Sequence, residues 1–168
     1  LFDLEADRSH PSKRRRPLAS GEMTRTTAFA LIGVMWLGAA LVAAQLGMAF
    51  SGVLAAYVLL MIAYSVRLKH VVLLDALLLA AGYSARIAAG AVAVAILPST
   101  WLIAFSLFLF YSLALIKRYA ELTHNRDRQG PSAHARGYEA IDLPVVAMFG
   151  IASGYLAVLV LAMYLTSG

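Results

Sequence analysis

The sequence contains no cysteine and little charge, since only 14% of its 168 residues are Asp, Glu, Lys or Arg. The missing cysteines exclude thiol catalysis, disulfides and zinc–thiolate sites. With 61% apolar residues and a mean hydropathy of +0.77, the chain is too apolar for a soluble domain and is predicted to be an integral membrane protein. The net charge of +5 does not indicate a nucleic-acid partner, because the basic residues separate hydrophobic runs.

Long apolar runs predict five membrane-spanning helices. A helix needs about 20 residues, at about 1.5 Å each, to cross about 30 Å of hydrocarbon. The first charge-free stretch is too long for one crossing, so a turn is expected at Gly47, Ser51 and Gly52. The predicted spans cover about 28–50, 52–66, 71–97, 101–116 and 144–166. The predicted fold class is therefore all-α, a polytopic membrane helix bundle.

The basic residues fall on one side of these spans. Every Lys and Arg except Arg86 lies in three loops that share one face of the predicted bundle, while the loops around Ser51 and Pro98 carry no charge. The three basic loops are residues 1–27, 67–70 and 117–143. Because basic loops are retained inside the cell, this face is predicted to be cytoplasmic.

The chain begins with two acids beside a basic cluster. Asp3 and Asp7 are four residues apart, so a helix would place both carboxylates within reach of one divalent cation. Lys13 and Arg16 follow in a proline-bounded basic segment and are suited to neutralising phosphate oxygens. The alternative for the basic segment is an anchor that touches lipid headgroups. The first interpretation predicts a metal–diphosphate site.

A second polar group of residues follows the fourth span. Lys117 and Glu121 are one helical turn apart, so they either face a substrate together or form a Lys–Glu ion pair. Arg118 and Tyr138 belong to the same polar stretch and are further candidate substrate contacts. This stretch is predicted to lie at the cytoplasmic end of the fourth span.

Asp75 and Arg86 are charges inside a predicted span. Such residues are tolerated mainly where they face protein or water and have a partner. They lie about three helical turns apart on nearly the same face, so they are predicted to line a polar cavity. Tyr64 and Lys69 would line its cytoplasmic mouth. Snorkelling to the interface is an alternative for Lys69 but not for Arg86, which lies near mid-membrane.

These motifs resemble those of the UbiA family of intramembrane prenyltransferases. The opening LFDLEADRSHPSKRRRPLASG is similar to the family's first aspartate-rich motif, in which an Asn-Asp pair would stand ahead of Leu1. The similarity continues through YSVRLKHVVLLDALLLAAGYSARIAAG and KRYAEL. The resemblance implies a helix bundle around a lipid-open cavity in the bacterial inner membrane, of which this chain is expected to be a fragment.

The resemblance also implies a magnesium-dependent transferase that grips a diphosphate. It implies that Asp3 and Asp7 are the magnesium ligands. The diphosphate contacts that it implies are Lys13, Arg16, Lys69 and Lys117. The predicted catalytic residues are Asp3, Asp7, Lys13, Arg16, Lys117 and Glu121. The predicted substrate contacts are Tyr64, Lys69, Asp75, Arg86, Arg118 and Tyr138. The expected partners are a polyprenyl diphosphate or polyprenyl phosphate lipid and the membrane.

The second acidic motif departs from the common pattern of the family. Where many members have DxxxD, this chain has Lys117, Arg118 and Glu121, similar to the bacterial branch that contains decaprenyl-phosphate phosphoribosyltransferase. The first expectation is prenyl transfer from a polyprenyl diphosphate to an aromatic or lipid acceptor. The alternative is phosphoribosyl transfer from phosphoribosyl diphosphate to a polyprenyl phosphate. A third interpretation, a transporter or membrane scaffold, would have Asp75 and Arg86 line a permeation path.

Overall fold

The fold consists of helices joined by short turns. The structure, a computed structural model, describes residues 15–127 and 137–167. In chain order the helices are α1 (Pro17–Ser20), α2 (Arg25–Leu46), α3 (Met48–Val66), α4 (Leu74–Ala93), α5 (Thr100–Asp127) and α6 (Leu143–Thr166). Short 3₁₀ turns, Leu68–His70 and Ala140–Asp142, precede α4 and α6. All elements in these two ranges are helical, which confirms the predicted fold class.

Within the described residues, five helices, α2 to α6, are long and apolar enough to cross a membrane. This number agrees with the number of spans predicted from the sequence. Large apolar side chains remain exposed on them, such as Met35 on α2 and Leu165 on α6. Helices that are apolar on all sides are typical of membrane spans, whose outer faces contact lipid or further helices.

The break between the first two spans lies at Gly47. The predicted spans were 28–50 and 52–66, but α2 ends before Gly47 and α3 begins directly after it. Gly47 has a φ of 94°, a conformation that side chains disfavour and glycine adopts at low cost. Ser51 and Gly52, which were also predicted to form the turn, lie inside α3.

The fourth span continues as a helix into the predicted loop 117–143. The prediction ended this span at residue 116, whereas α5 extends to Asp127. Residues 117–122 are mostly Lys, Arg, Ala, Glu and Leu, which are good helix formers. Charge ends a hydrophobic span without ending a helix, so Lys117, Arg118 and Glu121 all lie on α5. The third span is shorter than predicted, because α4 covers 74–93 instead of 71–97.

The chain divides into two compact units, residues 1–47 and residues 48–168. In the second unit, α5 packs against α4 and α6, and α4 packs against α3. The hydroxyl of Ser112 on α5 donates to the backbone carbonyl of Gly150 on α6 at 2.8 Å. The core lies where the start of α4, the second half of α5 and the start of α6 meet. Its buried members are Ala76, Leu115, Leu122, Tyr138, Leu143 and Val146.

Candidate functional site

A buried ion pair joins α4 to α5. The Nε of Arg118 donates to Oδ2 of Asp75 at 2.7 Å, and the two side chains are 5% and 0% exposed. Asp75 lies in the first turn of α4, where the helix dipole favours a carboxylate. Charges at this depth are tolerated because each has a charged and hydrogen-bonded partner. The pair therefore fixes the start of α4 against α5.

Tyr138, in the segment before α6, is hydrogen-bonded to this ion pair. Its hydroxyl donates to Oδ1 of Asp75 and accepts the backbone N–H of Leu73 at 3.0 Å. Leu73 precedes α4 and has a φ of 65°, which is rare for a leucine. Burial, followed by the hydrogen bond to Asp75 and its charge, raises the pKa of Tyr138 above its usual value. The hydroxyl therefore stays protonated and remains a donor.

Arg118 also holds Glu121, one turn further along α5. Its Nη1 donates to Oε2 of Glu121 at 2.7 Å, and the Glu121 side chain is 42% exposed. The sequence left open an ion pair of Glu121 with Lys117, but the structure pairs this acid with Arg118, and Lys117 is exposed. Arg118, Asp75, Glu121 and Tyr138 are termed the Asp75 cluster below. Glu121 is its exposed end.

The turn that carries Lys69 lies beside the Asp75 cluster. A Cβ at Gly137 would overlap the backbone carbonyl oxygen of His70, so the chain before α6 touches this turn. Lys69, in the turn, and Tyr64, on α3, are both half-buried. One end of the second unit thus brings together the Lys69 turn, the start of α4, the basic part of α5 and the approach to α6.

Arg86 has different partners from Asp75. Its Nε and Nη2 both donate to the hydroxyl of Tyr57 on α3, at 3.1 and 2.6 Å. Its guanidinium also lies 5.4 Å from the ring centroid of Tyr57 and 5.1 Å from that of Tyr83, within range of cation–π attraction. The sequence predicted one cavity for both charges. They have separate partners because the long arginine side chain reaches α3, whereas Asp75 is bonded to Arg118 and Tyr138.

Three predicted residues, Asp3, Asp7 and Lys13, lie outside the described residues. Arg16 is exposed just before α1, in the first unit. Within residues 15–127 and 137–167 no group of three or more His, Asp or Glu residues could hold a metal ion. Glu121 is itself bonded to Arg118. The magnesium prediction therefore rests on Asp3 and Asp7.

Three residues that the sequence analysis did not select contribute to this geometry: Tyr57, Tyr83 and Leu73. A signal existed for the tyrosines, because an arginine inside a span needs an acceptor or an aromatic face nearby. No sequence signal marks Leu73. Its positive φ accompanies a hydrogen bond with Tyr138, which is 65 residues away.

Comparison with known proteins gives one family and several relatives. A family model described as the UbiA prenyltransferase family matches residues 1–167. The chain is 37% identical to the nodulation protein NoeC of Azorhizobium caulinodans, over 98% of this chain and 53% of that protein. It is also similar to decaprenyl-phosphate phosphoribosyltransferase of Mycolicibacterium smegmatis, with 37% identity over 71% of this chain and 38% of that enzyme. The Corynebacterium glutamicum enzyme of the same name is 38% identical over 74% of this chain and 38% of that enzyme. The chain spans about half the length of these relatives, or less.

Proposed function

The chain belongs to the UbiA prenyltransferase family, and from this premise we propose that it forms part of a membrane transferase with a diphosphate donor and a lipid acceptor. Its five apolar helices and its family mark it as an integral membrane protein. The membrane is proposed to be the bacterial inner membrane. The active site is proposed to face the cytoplasm, because the basic loops share one predicted side.

The proposed reaction is phosphoribosyl transfer from phosphoribosyl diphosphate to a polyprenyl phosphate. The observation that carries this choice is the Arg118–Glu121 pair at the position of the second acidic motif. Two carboxylates on α5 there would suit a further metal ion, whereas a single carboxylate that is bonded to an arginine and lies one turn from Lys117 suits an anionic group better. The similarity to enzymes named decaprenyl-phosphate phosphoribosyltransferase supports the same choice.

The chemistry of this reaction requires little from the protein except placement and charge. An oxygen of the acceptor phosphate forms a bond to ribose C1, while the bond from C1 to the diphosphate oxygen breaks and diphosphate leaves with the electron pair. The acceptor phosphate is already ionised near neutral pH, so it needs no protein base. The protein has to hold two anions together and neutralise the departing charge.

The proposed diphosphate contacts are four basic residues, two before α1, one in the turn before α4 and one on α5. They are Lys13, Arg16, Lys69 and Lys117, the first two from the opening segment. Magnesium bound by Asp3 and Asp7 would neutralise further diphosphate charge. The exposed carboxylate of Glu121 on α5 is also proposed as a catalytic group.

Arg86 is proposed to contact the substrate deeper in the membrane, and Tyr64 is proposed to contact it at the cytoplasmic mouth. Arg86 is exposed on α4, and Tyr57 accepts hydrogen bonds from two of its nitrogens. A guanidinium has five N–H donors in a planar fork, which leaves capacity for an anionic or polar group of a ligand. An arginine at this depth is a functional candidate by default.

The second candidate function is prenyl transfer from a polyprenyl diphosphate to an aromatic or lipid acceptor, which the family description itself favours. It shares the diphosphate leaving group with the first candidate. A transporter or scaffold would need neither the opening acids nor the basic run beside them. The family membership therefore favours both transferase candidates over it.

A transfer assay separates the candidates. Purified full-length protein is incubated with polyprenyl phosphate and radiolabelled phosphoribosyl diphosphate, or with radiolabelled polyprenyl diphosphate and candidate aromatic acceptors, with and without magnesium. We expect magnesium-dependent label in the lipid extract from phosphoribosyl diphosphate. Transfer from polyprenyl diphosphate alone would favour the second candidate, and no transfer from either donor would contradict both.

A further inference from the structure

Asp75 is completely enclosed by protein groups. Its side chain is 0% exposed, and its two oxygens have different partners, Arg118 at Oδ2 and Tyr138 at Oδ1. Arg118 and Tyr138 are themselves only 5% and 3% exposed. Of the Asp75 cluster, Glu121 alone presents substantial surface. A direct substrate contact, which the sequence suggested for Asp75, Arg118 and Tyr138, does not suit groups buried to this degree.

We infer that Asp75 is a positioning residue, which acts on the substrate site through Arg118. This inference rests on the proposed function, because it concerns how the end of α5 that faces the diphosphate is held. Asp75 fixes one edge of the guanidinium through Nε, and the other edge then fixes Glu121 through Nη1. Asp75 on α4 thereby sets the orientation of a carboxylate on α5 that it does not touch.

Tyr138 extends this positioning to the approach to α6. Its hydroxyl bridges Asp75 and the N–H of Leu73, so the segment before α6 is bound to the start of α4. Gly137 brings the same segment against His70, next to Lys69. One buried carboxylate thus holds two surfaces that carry proposed diphosphate contacts, the basic part of α5 and the Lys69 turn.

The shape of the arginine side chain distinguishes positioning from simple charge compensation. The planar guanidinium bonds Asp75 and Glu121 through two different nitrogens at 2.7 Å each. A lysine at position 118 would keep the charge beside Asp75, but its single nitrogen has no fixed fork with which to orient both carboxylates. Arg118→Lys therefore preserves the net charge of the Asp75 cluster and removes the geometry.

The test measures turnover, donor KM, magnesium dependence and melting temperature of the full-length protein carrying Arg118→Lys. We expect the variant to remain folded with a moderately lower melting temperature, because Lys keeps the charge but cannot bond both carboxylates. We expect its kcat to fall by about ten- to a hundredfold, with a smaller change in KM, since misplaced groups slow the chemical step. Arg67→Lys, an exposed charge-preserving change in the neighbouring turn, is the matched control and should leave kcat unchanged. Wild-type kcat in Arg118→Lys would overturn the inference.

A double-mutant cycle tests whether Asp75 acts through Arg118. We expect Asp75→Asn combined with Arg118→Gln to lower kcat no more than either single change, because groups that act as one unit are not additive. Additive losses, or a shift of the magnesium dependence in Asp75→Asn, would overturn the inference by showing direct action on substrate or metal. If Asp75→Asn does not fold, the Arg118→Lys result decides. If the wild-type protein is inactive with both donors, the proposed function and this inference are both overturned. If the wild-type protein is active, the proposed function stands and the variants test this inference by itself.

Discussion

At the scale of single residues, the sequence identified which charges are costly but not what compensates them. Asp75 and Arg86 stood out because charge inside a span needs a partner. The partners of Asp75 are 43 and 63 residues away, at Arg118 and Tyr138, and no spacing rule connects them. Arg118 and Tyr138 were selected as candidates for their chemistry, and the tertiary fold alone shows that they meet at one carboxylate.

Tyr138→Phe is predicted to destabilise the protein. The change removes a hydroxyl that serves both Asp75 and the N–H of Leu73, and a buried polar group left without its partner costs about 1–3 kcal/mol. Thermal unfolding of the purified protein in detergent measures the effect. Tyr155→Phe, whose side chain is 75% exposed on α6, is the matched control and should leave the melting temperature unchanged.

The stability that Tyr138 contributes should also depend on pH. Because the pKa of Tyr138 is raised in the folded protein, the folded state holds this proton more tightly than the unfolded state. The contribution is therefore fully present below about pH 10, the ordinary tyrosine pKa, and is lost as pH rises further. The stability difference between wild type and Tyr138→Phe should shrink above that pH. A difference that stays constant would contradict the assignment.

At the scale of elements, hydropathy predicted the number and the type of the spans correctly but not the residues at which the helices end. All five spans are present, yet α5 passes beyond the predicted limit because its charged residues are also helix formers. The first turn was expected at three small residues, and only Gly47 forms it. The run of small residues indicates that the helix must break between the first two spans. Which of these residues adopts the positive φ depends on the surrounding backbone conformation.

Gly137→Ala is predicted to disrupt the approach to α6. Gly137 has a φ of 74°, and a Cβ there would overlap the carbonyl oxygen of His70. Gly21 also has a positive φ, 87°, but a Cβ there would meet nothing within 4 Å. Gly21→Ala therefore isolates the backbone strain, about 1–2 kcal/mol for a left-handed residue.

Melting temperatures of the two glycine variants measure the extra cost of the close approach. We expect a larger decrease in Gly137→Ala than in Gly21→Ala, together with reduced transfer activity, because the clash would move Tyr138 away from Asp75. Equal decreases would show that the contact between Gly137 and the Lys69 turn contributes little.

At the scale of the whole molecule, the charge pattern predicts which side each loop faces. The turn between α3 and α4 contains Arg67 and Lys69, while the segment between α4 and α5 has no charge. Since the chain has no cysteine, single cysteines introduced into it can be labelled without background from these residues. The prediction of a cytoplasmic site can therefore be tested in membrane vesicles.

Arg67→Cys and Ser99→Cys are predicted to react from opposite sides. Both positions are exposed, the first before α4 and the second after it. A membrane-impermeant maleimide should label Arg67→Cys in inside-out vesicles and Ser99→Cys in right-side-out vesicles. Labelling of both positions from one side would mean that α4 does not cross the membrane. Reversed labelling would place the proposed site outside the cytoplasm.

The most direct measurement of the central claim is diphosphate release by the purified full-length protein. With phosphoribosyl diphosphate as donor, we predict release only when polyprenyl phosphate is present, in an amount equal to the ribose phosphate recovered in the lipid. This equality follows from the single bond exchanged at ribose C1. Release without lipid product would indicate hydrolysis, and no release from phosphoribosyl diphosphate or from polyprenyl diphosphate would contradict a transferase site in this protein.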